Sequence, residues 1–205
     1  MKKLVLASSN PGKLREFESL LAPLGIEIVS QATLKVAEAE EPHGTFVENA
    51  LAKARHASRR SGLPALADDS GICVRALDGR PGVHSARFAG AAPPGATPGR
   101  AAQDARNNEK LVGMLAGADD RRAHYYCVVV LMRHAEDPEP IIAEGSWEGE
   151  IVEQPRGENG FGYDPHFFLR DLGKTAAELE QGQKNLVSHR GKAMRRLLAK
   201  LKEGV

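Results

Sequence analysis

The segment KLVLASSNPGKLREFESLL, residues 3–21, is the clearest indication of the fold class of this chain. Its first five residues, Lys3 to Ala7, form an apolar run of the length of a buried strand, and the turn residues Asn10-Pro11-Gly12 follow. Apolar residues then recur at helical spacing through about Leu21. A strand, a tight turn and an amphipathic helix in this order indicate an α/β protein.

Strand and helix patterns continue along the chain. Capping boxes, in which a threonine is followed three residues later by a glutamate, occur at Thr45 and at Thr175. The first predicts a helix from Phe46 to about Ser61 that stops at Gly62. The other predicted elements are strands at 27–30 and 64–67, an antiparallel pair at 124–133 and 141–153, a helix at 103–115, and a terminal helix that is capped by Ser188 and runs to about Leu201. The Ala-, Gly- and Pro-rich stretch 88–102 is predicted to be a mobile loop or a boundary between lobes.

The composition is that of a globular protein without a strong electric field. Of its 205 residues 41% are hydrophobic and 27% are charged, and the net charge is +1. Nothing in this balance would draw the protein onto a nucleic acid or a membrane surface. Because the net charge is close to zero, an anionic ligand must be bound by cations that are gathered locally.

The length predicts a single domain over residues 1–205, built as two closely packed lobes.

Cysteine usage and apolar segments bear on the compartment. Cys73 and Cys127 lie in apolar stretches without CxxC spacing, which favours buried free thiols in a reducing compartment over a zinc site. The apolar run near the N-terminus ends at Ser8, too early for a secretory signal. No segment approaches the ~20 apolar residues of a membrane span. We therefore expect a cytoplasmic protein.

The segment between the first strand and the first helix is a candidate phosphate site. Ser8-Ser9-Asn10-Pro11-Gly12-Lys13 combines a helix N-terminus, which carries unpaired N–H groups and a partial positive charge, with a lysine. This arrangement suits a phosphate, although it lacks the glycines of a P-loop. A well-capped helix with a solvated lysine would have the same sequence.

Two adjacent carboxylates, Asp68 and Asp69, follow the predicted strand at 64–67. Neighbouring carboxylates repel each other and require a cation or dense hydrogen bonding. Mg²⁺ commonly takes one or two carboxylates and completes its shell with water and phosphate oxygens. Glu40 and Glu41 in an acidic loop could add a further metal ligand. The structural alternatives are an Asx turn at the aspartates and solvated glutamates in the loop.

The capped helix after Thr45 supplies a second group of polar candidates. Asn49 and Lys53 are four residues apart, so they lie on one face of this helix. An amide and an ammonium on one face could reach phosphates. An ordinary solvated helix face would show the same spacing.

Two further groups lie in the second half of the chain. Gly160-Phe161-Gly162-Tyr163-Asp164-Pro165 interleaves glycines, which allow close backbone approach, with aromatic rings that can stack on a base. A core turn with packed rings is the alternative. Lys184 and Ser188-His189-Arg190 place donors near a helix N-terminus, where cations oppose the helix dipole, and such a placement often has a functional reason.

Taken together, these segments resemble the inosine triphosphate pyrophosphatase family, enzymes that clear deaminated purine nucleotides. The resemblance covers essentially the whole chain, and its specificity lies in the order of the motifs. Family members usually carry Thr-Gly where this chain has Ser8-Ser9, and serine keeps the hydroxyl. The matching segments are ASSNPGK at 7–13, TFVENALAKAR at 45–55, LADDSG at 66–71, PGVHSAR at 81–87, GFGYDP at 160–165 and SHR at 188–190.

The resemblance implies an elongated two-lobed α/β fold with a central mixed β-sheet flanked by helices, and a substrate cleft between the lobes. It implies a homodimer with Mg²⁺ as cofactor that hydrolyses ITP, dITP and XTP to the monophosphate and pyrophosphate. Asp69 would be the proton acceptor and a metal ligand, with Glu40 or Glu41 as a further ligand. The substrate would be bound by Ser8, Ser9, Asn10, Pro11, Gly12, Lys13, Ser70, Phe161, Gly162, Tyr163, Asp164, Lys184, His189 and Arg190. Apart from the resemblance, Lys53 is a candidate substrate ligand because of its place on the capped helix, and with Lys13 it would offset charge that develops on the phosphates.

The sequence also predicts how the base is selected, and two rival functions share parts of the pattern. Donors from His189 and Arg190 suit the 6-oxo group of hypoxanthine or xanthine, whereas adenine presents an amino donor there. A septum-inhibitor type pyrophosphatase for modified pyrimidine nucleotides would share the opening strand and loop but lack the closing Ser-His-Arg. A non-catalytic nucleotide sensor or RNA-binding module would bind without turnover, and 5% aromatic residues with near-neutral charge argue against extended RNA contact.

Overall fold

The computed structural model describes residues 2–22, 25–90 and 99–202, and these fold as an α/β protein. The helices are α1 (Pro11–Leu21), α2 (Phe46–Ser61), α3 (Arg100–Met114), α4 (Gln181–Val187) and α5 (His189–Lys202). The strands are β1 (Lys3–Leu6), β2 (Glu27–Ser30), β3 (Ala65–Val74), β4 (Arg122–Met132), β5 (Ile141–Ile151), β6 (Phe167–Leu169) and β7 (Lys174–Thr175). The strands form one seven-stranded sheet in the order β2-β1-β3-β4-β5-β6-β7.

The sheet is mixed, as predicted. β1 is parallel to β2 and to β3, with Leu6 opposite Ser30 on one side and Leu66 on the other. β6 is antiparallel to both β5 and β7. β4 and β5 are neighbours joined by residues 133–140. This connection is too short for a parallel crossover, which requires a dozen or more residues, so the predicted antiparallel pair is consistent with the order of strands.

Local sequence signals set the ends of the first two helices. Asn10 caps α1 through its side-chain oxygen, which accepts the N–H of Gly12 at 2.9 Å. Thr45 caps α2 as predicted, and Gly62 ends it with φ 70°, a left-handed conformation that glycine adopts without steric cost. The capping box of Thr175 is also present, and it begins a single 3₁₀ turn, Ala176–Glu178.

The structure corrects several predicted bounds. β3 does not end at residue 67 but continues through the two aspartates to Val74, and its neighbour in the sheet, β4, is similarly long with eleven residues. α3 begins at Arg100, inside the stretch 88–102 that was predicted as a loop, and residues 91–98 of that stretch lie outside the described residues. The short elements β6, β7 and α4 have no periodic pattern and were not predicted.

The chain divides into two compact units, each with its own hydrophobic core. The first unit comprises residues 1–69, 127–145 and 189–205, and the second comprises residues 70–126 and 146–188. The core of the first unit joins strand residues to α1 and α5, and includes Leu4, Leu6, Phe17, Leu21, Leu66, Val129, Leu131, Ala193, Met194 and Leu197. In the second unit the rings of Tyr125, Trp147 and Phe167 pack with centroids 4.7–6.3 Å apart.

Both cysteines carry free thiols, but only one is buried. Cys127 is buried and Cys73 is half-buried, so the prediction of two buried thiols is wrong for Cys73. An apolar stretch of sequence does not show which side chains of a strand face the core, since successive side chains point to opposite faces. Within the described ranges, no helix combines the length and the apolar character that crossing a membrane requires.

Truncation of Phe17 tests the core of the first unit. Phe17 is fully buried, so Phe17→Ala should lower the free energy of unfolding by about 3–5 kcal/mol through lost contacts and a residual cavity. Leu34 is 37% exposed, and Leu34→Ala should change it by less than about 0.5 kcal/mol. Urea unfolding of both variants measures the difference, and equal losses would contradict the assigned core.

Candidate functional site

The two adjacent aspartates lie where β3 extends past the end of β1. Leu66 is the last β3 residue paired with β1, and Asp68 and Asp69 follow it. In sheets with parallel strands, ligands bind beyond the carboxyl ends of the strands. Successive side chains of a strand point to opposite faces, so the two carboxylates are directed away from each other. Each one therefore needs its own cations.

Asp68 is a buried anion held by two cations from distant parts of the chain. Lys13 Nζ lies 3.0 Å from Oδ1, and Arg190 Nη2 lies 3.1 Å from Oδ2. Burial opposes ionisation of Asp68, but Lys13 and Arg190 outweigh it and hold the pKa of this carboxyl well below its usual range. Asp68 therefore stays charged and fixes the two cations instead of exchanging protons.

Arg190 joins α5 to α1 through a second carboxylate. Its guanidinium pairs with Glu16 as well as with Asp68, and only 2% of the residue is exposed. His189, which precedes it, is also buried. The sequence does not reveal Glu16 as part of this site, because nothing in the spacing of α1 shows that an arginine 174 residues away would meet it. Direct contact of His189 and Arg190 with a nucleotide stays a prediction.

Asp69, the predicted proton acceptor, faces α2. Lys53 Nζ lies 3.1 Å from Oδ1, and the amide of Asn49 donates to Oδ2 at 3.3 Å. Burial raises the pKa of Asp69 and Glu41 adds to this, while Lys53 and Lys13 oppose it, and the net direction is upward. A carboxylate with a raised pKa is a better base near neutral pH than an ordinary one. Ser70, the next residue in β3, is half-buried.

Lys53 connects Asp69 to the acidic loop. Its Nζ also lies 2.8 Å from Glu41 Oε1. Burial would lower the pKa of Lys53, but Asp69, Asp68 and Glu41 together raise it above its usual value, so the ammonium stays charged. Glu40 is exposed, which leaves Glu41 as the loop carboxylate beside Lys53.

The predicted metal ligands do not form a three-carboxylate cluster. Nowhere in the described residues do three or more His, Cys, Asp or Glu side chains gather in an arrangement that could hold a metal ion. Glu41 and Asp69 are both in contact with the ammonium of Lys53, and Glu40 faces solvent. Of the predicted set Glu40, Glu41 and Asp69, the structure therefore brings together two carboxylates around one cation.

Asn49 organises this side of the site. Its Oδ1 accepts the N–H of His43 at 3.1 Å, and its Nδ2 donates to the carbonyl of His43 at 3.1 Å and to Asp69. The sequence predicted that Asn49 could reach phosphates. The fully buried amide instead ties the loop that carries Glu41 to α2 and orients the carboxylate of Asp69.

The segment from Ser8 to Lys13 is held by its own side chains. Ser8 Oγ accepts the N–H of Asn10 at 3.2 Å, and Asn10 Oδ1 accepts the N–H of Gly12. Ser9 and Pro11 are exposed, and the ammonium of Lys13 turns towards Asp68. The loop is thus preorganised at the N-terminus of α1. Phosphate binding by its residues stays a prediction.

In the second unit, the glycine and aromatic motif forms a tight loop around Asp164. This buried carboxylate accepts the N–H of Phe161 at 2.8 Å and pairs with Lys184 Nζ at 2.6 Å. Gly160 has φ 80°, and a Cβ there would lie 2.1 Å from Asp164 Oδ2, so the loop requires glycine at this position. Asp164 and Lys184 thus hold the loop together.

The two aromatic residues of the loop have different environments. Tyr163 is buried in the core of the second unit, and its hydroxyl donates to the carbonyl of Ser85 at 2.8 Å. The half-buried ring of Phe161 has Lys184 Nζ 4.9 Å and Arg100 Cζ 5.6 Å from its centroid. The core-turn interpretation therefore describes Tyr163, whereas Phe161 offers partly accessible aromatic surface.

Comparisons with known proteins agree on one family. The model of the Ham1 family matches residues 4–200. The chain is similar to the dITP/XTP pyrophosphatase of Ralstonia nicotianae, with 62% identity over 202 residues and 98% of both chains covered. It is also similar to that of Nitrosomonas europaea, with 63% identity over 203 residues, 99% of this chain and 96% of the relative. A solved HAM1 protein from Coxiella burnetii superposes with a TM-score of 0.87 at 48% identity, and all of both chains is covered.

Neutralising Asp68 tests the buried charge network. Asp68→Asn should lower the free energy of unfolding at neutral pH by roughly 3–5 kcal/mol, because it removes the shared counter-charge of the buried Arg190 and the half-buried Lys13. As a control, Glu136→Gln breaks the exposed ion pair with Arg59 and should change it by less than about 1 kcal/mol. Urea unfolding of the three proteins measures both effects.

The difference in free energy of unfolding between the natural chain and Asp68→Asn should also depend on pH. Because the folded protein lowers the pKa of Asp68, the stabilising contribution is complete above the ordinary aspartate pKa of about 3.9 and is lost as the pH falls through the lower folded value. The stability difference between the natural chain and Asp68→Asn should therefore narrow in acid. A difference that stays constant on acidification would show that Asp68 is not stabilised as an anion.

Proposed function

Because the chain belongs to the Ham1 family, we propose that it is a nucleoside triphosphate pyrophosphatase that hydrolyses dITP, ITP and XTP to the monophosphate and pyrophosphate. The observation that carries this proposal is the similarity, over nearly the full length, to relatives named dITP/XTP pyrophosphatases. The cellular role that follows is removal of deaminated purine nucleotides from the nucleotide pool.

Asp69 is the proposed proton acceptor. It takes a proton from the water whose oxygen bonds to the α-phosphorus, while the bond from that phosphorus to the bridging oxygen breaks and pyrophosphate leaves with the electron pair. The raised pKa of Asp69 and its orientation by Asn49 support this role. Its place past the carboxyl end of β1 supports it as well.

Lys53 and Lys13 are proposed to bind the phosphate chain. Each ammonium already neutralises one aspartate, and each is largely shielded from solvent. In such an environment a fixed cation stabilises charge that develops on phosphate oxygens more strongly than it would in water. The preorganised segment 8–13 at the N-terminus of α1 is proposed to add backbone and hydroxyl donors. Ser70 is proposed to contact the substrate.

Asp69 and Glu41 form a donor set that fits Mg²⁺. Both are hard oxygen ligands, and in the structure both contact the ammonium of Lys53. Mg²⁺ commonly uses one or two carboxylates together with water and phosphate oxygens. The upward pKa shift of Asp69 indicates a carboxylate whose neighbours do not fully offset its burial. When bound, Mg²⁺ supplies Lewis-acid polarisation of the phosphate oxygens. Glu41 is proposed as the loop ligand in preference to the exposed Glu40.

Phe161, in the second unit, is proposed to contact the nucleotide base. The partly accessible ring of Phe161 suits stacking on a purine, and Asp164 and Lys184 hold its loop. His189 is proposed to favour the 6-oxo group, because a site that donates hydrogen bonds is left unpaired by the amino group of adenine. Arg190, which is buried and paired with Asp68 and Glu16, is proposed to hold the start of α5 in place for this contact. From the resemblance we also propose a homodimer that acts on free nucleotides in the cytoplasm.

A nucleotide panel tests the reaction and its general base. The natural chain should release pyrophosphate from dITP and XTP much faster than from ATP or 5-methyluridine triphosphate. Asp69→Asn should lower kcat for dITP by more than about a hundredfold, because an amide cannot accept the proton. Pyrophosphate release at fixed Mg²⁺ measures all of these rates.

Two controls distinguish loss of the proton acceptor from other causes of low turnover in Asp69→Asn. Glu40→Gln removes an exposed carboxylate near the site and should leave kcat within about twofold. Unchanged circular dichroism of Asp69→Asn excludes unfolding as the cause of lost turnover. Preference for the methylated pyrimidine nucleotide would overturn the substrate assignment, and near-normal turnover by folded Asp69→Asn would overturn the role of Asp69.

The metal dependence separates the two loop glutamates. Activity should require Mg²⁺ and vanish in excess chelator, and Glu41→Gln should raise the Mg²⁺ concentration for half-maximal rate by about tenfold or more, since one ligand loses its charge. Glu40→Gln should leave that concentration unchanged. Titration of the rate against Mg²⁺ for both variants gives the answer. Equal shifts would mean that the loop acts through its overall charge.

A further inference from the structure

One face of α3 holds both backbone polar groups of Gly162. Asp104 Oδ2 accepts the N–H of Gly162 at 2.9 Å, and Asn108 Nδ2 donates to its carbonyl at 2.9 Å. The two side chains are four residues apart on α3, so they lie one above the other on the same face. The peptide units on either side of Gly162 are therefore each anchored to the same helix.

This double anchor acts on the residue that precedes Gly162. A peptide unit is planar, so the bond from the N–H of Gly162 to Asp104 also fixes the carbonyl of Phe161. Phe161 is held from its other side by the bond of its own N–H to Asp164. The backbone of Phe161 is thus fixed at both ends, which limits where its ring can lie.

The platform that carries the anchor is itself rigid. Leu111 of α3 is fully buried in the core of the second unit. The amide of Asn107 accepts the N–H of Ala89 at 2.8 Å and donates to the carbonyl of Ala86 at 3.1 Å, which ties α3 to the segment before it. A helix fixed in this way can transmit its position to the loop.

Asn108 differs from its neighbour in a way that points to the loop. Both amide atoms of Asn107 are paired, whereas the buried Oδ1 of Asn108 has no hydrogen-bond partner among the residues described. An unpaired buried acceptor costs stability. The hydrogen bond from Nδ2 of Asn108 to the carbonyl of Gly162 is what offsets this cost. This bond therefore explains why an asparagine occupies the position.

We propose that Asp104 and Asn108 are positioning residues that set the place of the Phe161 ring and, through it, the affinity for the nucleotide base. The inference rests on the proposed function, in which Phe161 contacts the nucleotide. Neither residue belongs to the segments that carry the family resemblance, and both act on the loop through their hydrogen bonds to Gly162.

A double-mutant cycle with Phe161 tests this directly. Asn108→Ala should raise KM for dITP about five- to tenfold, with kcat within about twofold, because one hydrogen bond that orders the binding surface is lost. Phe161→Ala should raise KM by at least as much. In the Phe161→Ala background, Asn108→Ala should change KM by less than about twofold, since the residue through which it acts is gone.

Two further variants keep the test valid if Asn108→Ala is unstable. Asp104→Asn retains an oxygen acceptor for the N–H of Gly162 and should keep KM close to that of the natural chain, whereas Asp104→Leu should raise it. Hydrogen exchange at the Gly162 amide, followed by NMR, should be faster in Asp104→Leu and unchanged in Asp104→Asn. Glu109→Gln, an exposed change on the same helix, should alter neither quantity.

The possible outcomes are distinct. If Asn108→Ala and Asp104→Leu lower the melting temperature but leave KM and the exchange of Gly162 unchanged, the residues are merely structural and the proposal is overturned. It is also overturned if Asn108→Ala has the same effect on KM with and without Phe161. If Phe161→Ala itself leaves KM unchanged while dITP is turned over, the proposed contact of Phe161 is wrong and the inference fails with it. If dITP is not hydrolysed at all, the proposed function fails first.

Discussion

Two neighbouring carboxylates in a buried strand set the requirements for the first unit. Asp68 and Asp69 are both buried, and an uncompensated charge in such a place costs several kcal/mol. The compensating cations come from three separate helices, Lys13 from α1, Lys53 from α2 and Arg190 from α5. These helices must pack in place together for the strand to carry its charges, so the electrostatics of the site and the packing of the unit are one constraint.

The geometry of the strand places Asp68 and Asp69 in two different chemical environments. Alternation along β3 directs Asp68 towards α1 and α5 and Asp69 towards α2, as their partners show. The pKa of Asp68 is lowered by its two cations, whereas that of Asp69 is raised by burial and by Glu41. Two chemically identical groups, adjacent in one strand, thus have pKa values that their surroundings shift in opposite directions.

In the second unit a buried carboxylate is likewise compensated by a cation, and it also accepts a hydrogen bond from the backbone. Asp164, with Lys184 beside it, closes the loop of Phe161, and Gly160 leaves room for that carboxylate. Most polar residues of the motif therefore hold the loop, and the aromatic ring is what the loop presents. A motif that resembles a ligand-binding sequence is here largely the structure that supports one partly accessible side chain.

Short-range signals, such as the caps at Asn10 and Thr45, were enough to predict the longer helices and strands, whereas β6, β7 and α4 carry no such signal. Motifs in a specific order were enough to predict the candidate residues and the family. Only the folded structure shows which residues meet, including the pairing of Glu16 with Arg190, the contact of Glu41 and not Glu40 with Lys53, and the extension of β3 through the aspartates. The physical reason is that each of these depends on side chains far apart in the chain, whose proximity and burial follow from packing and not from any local spacing.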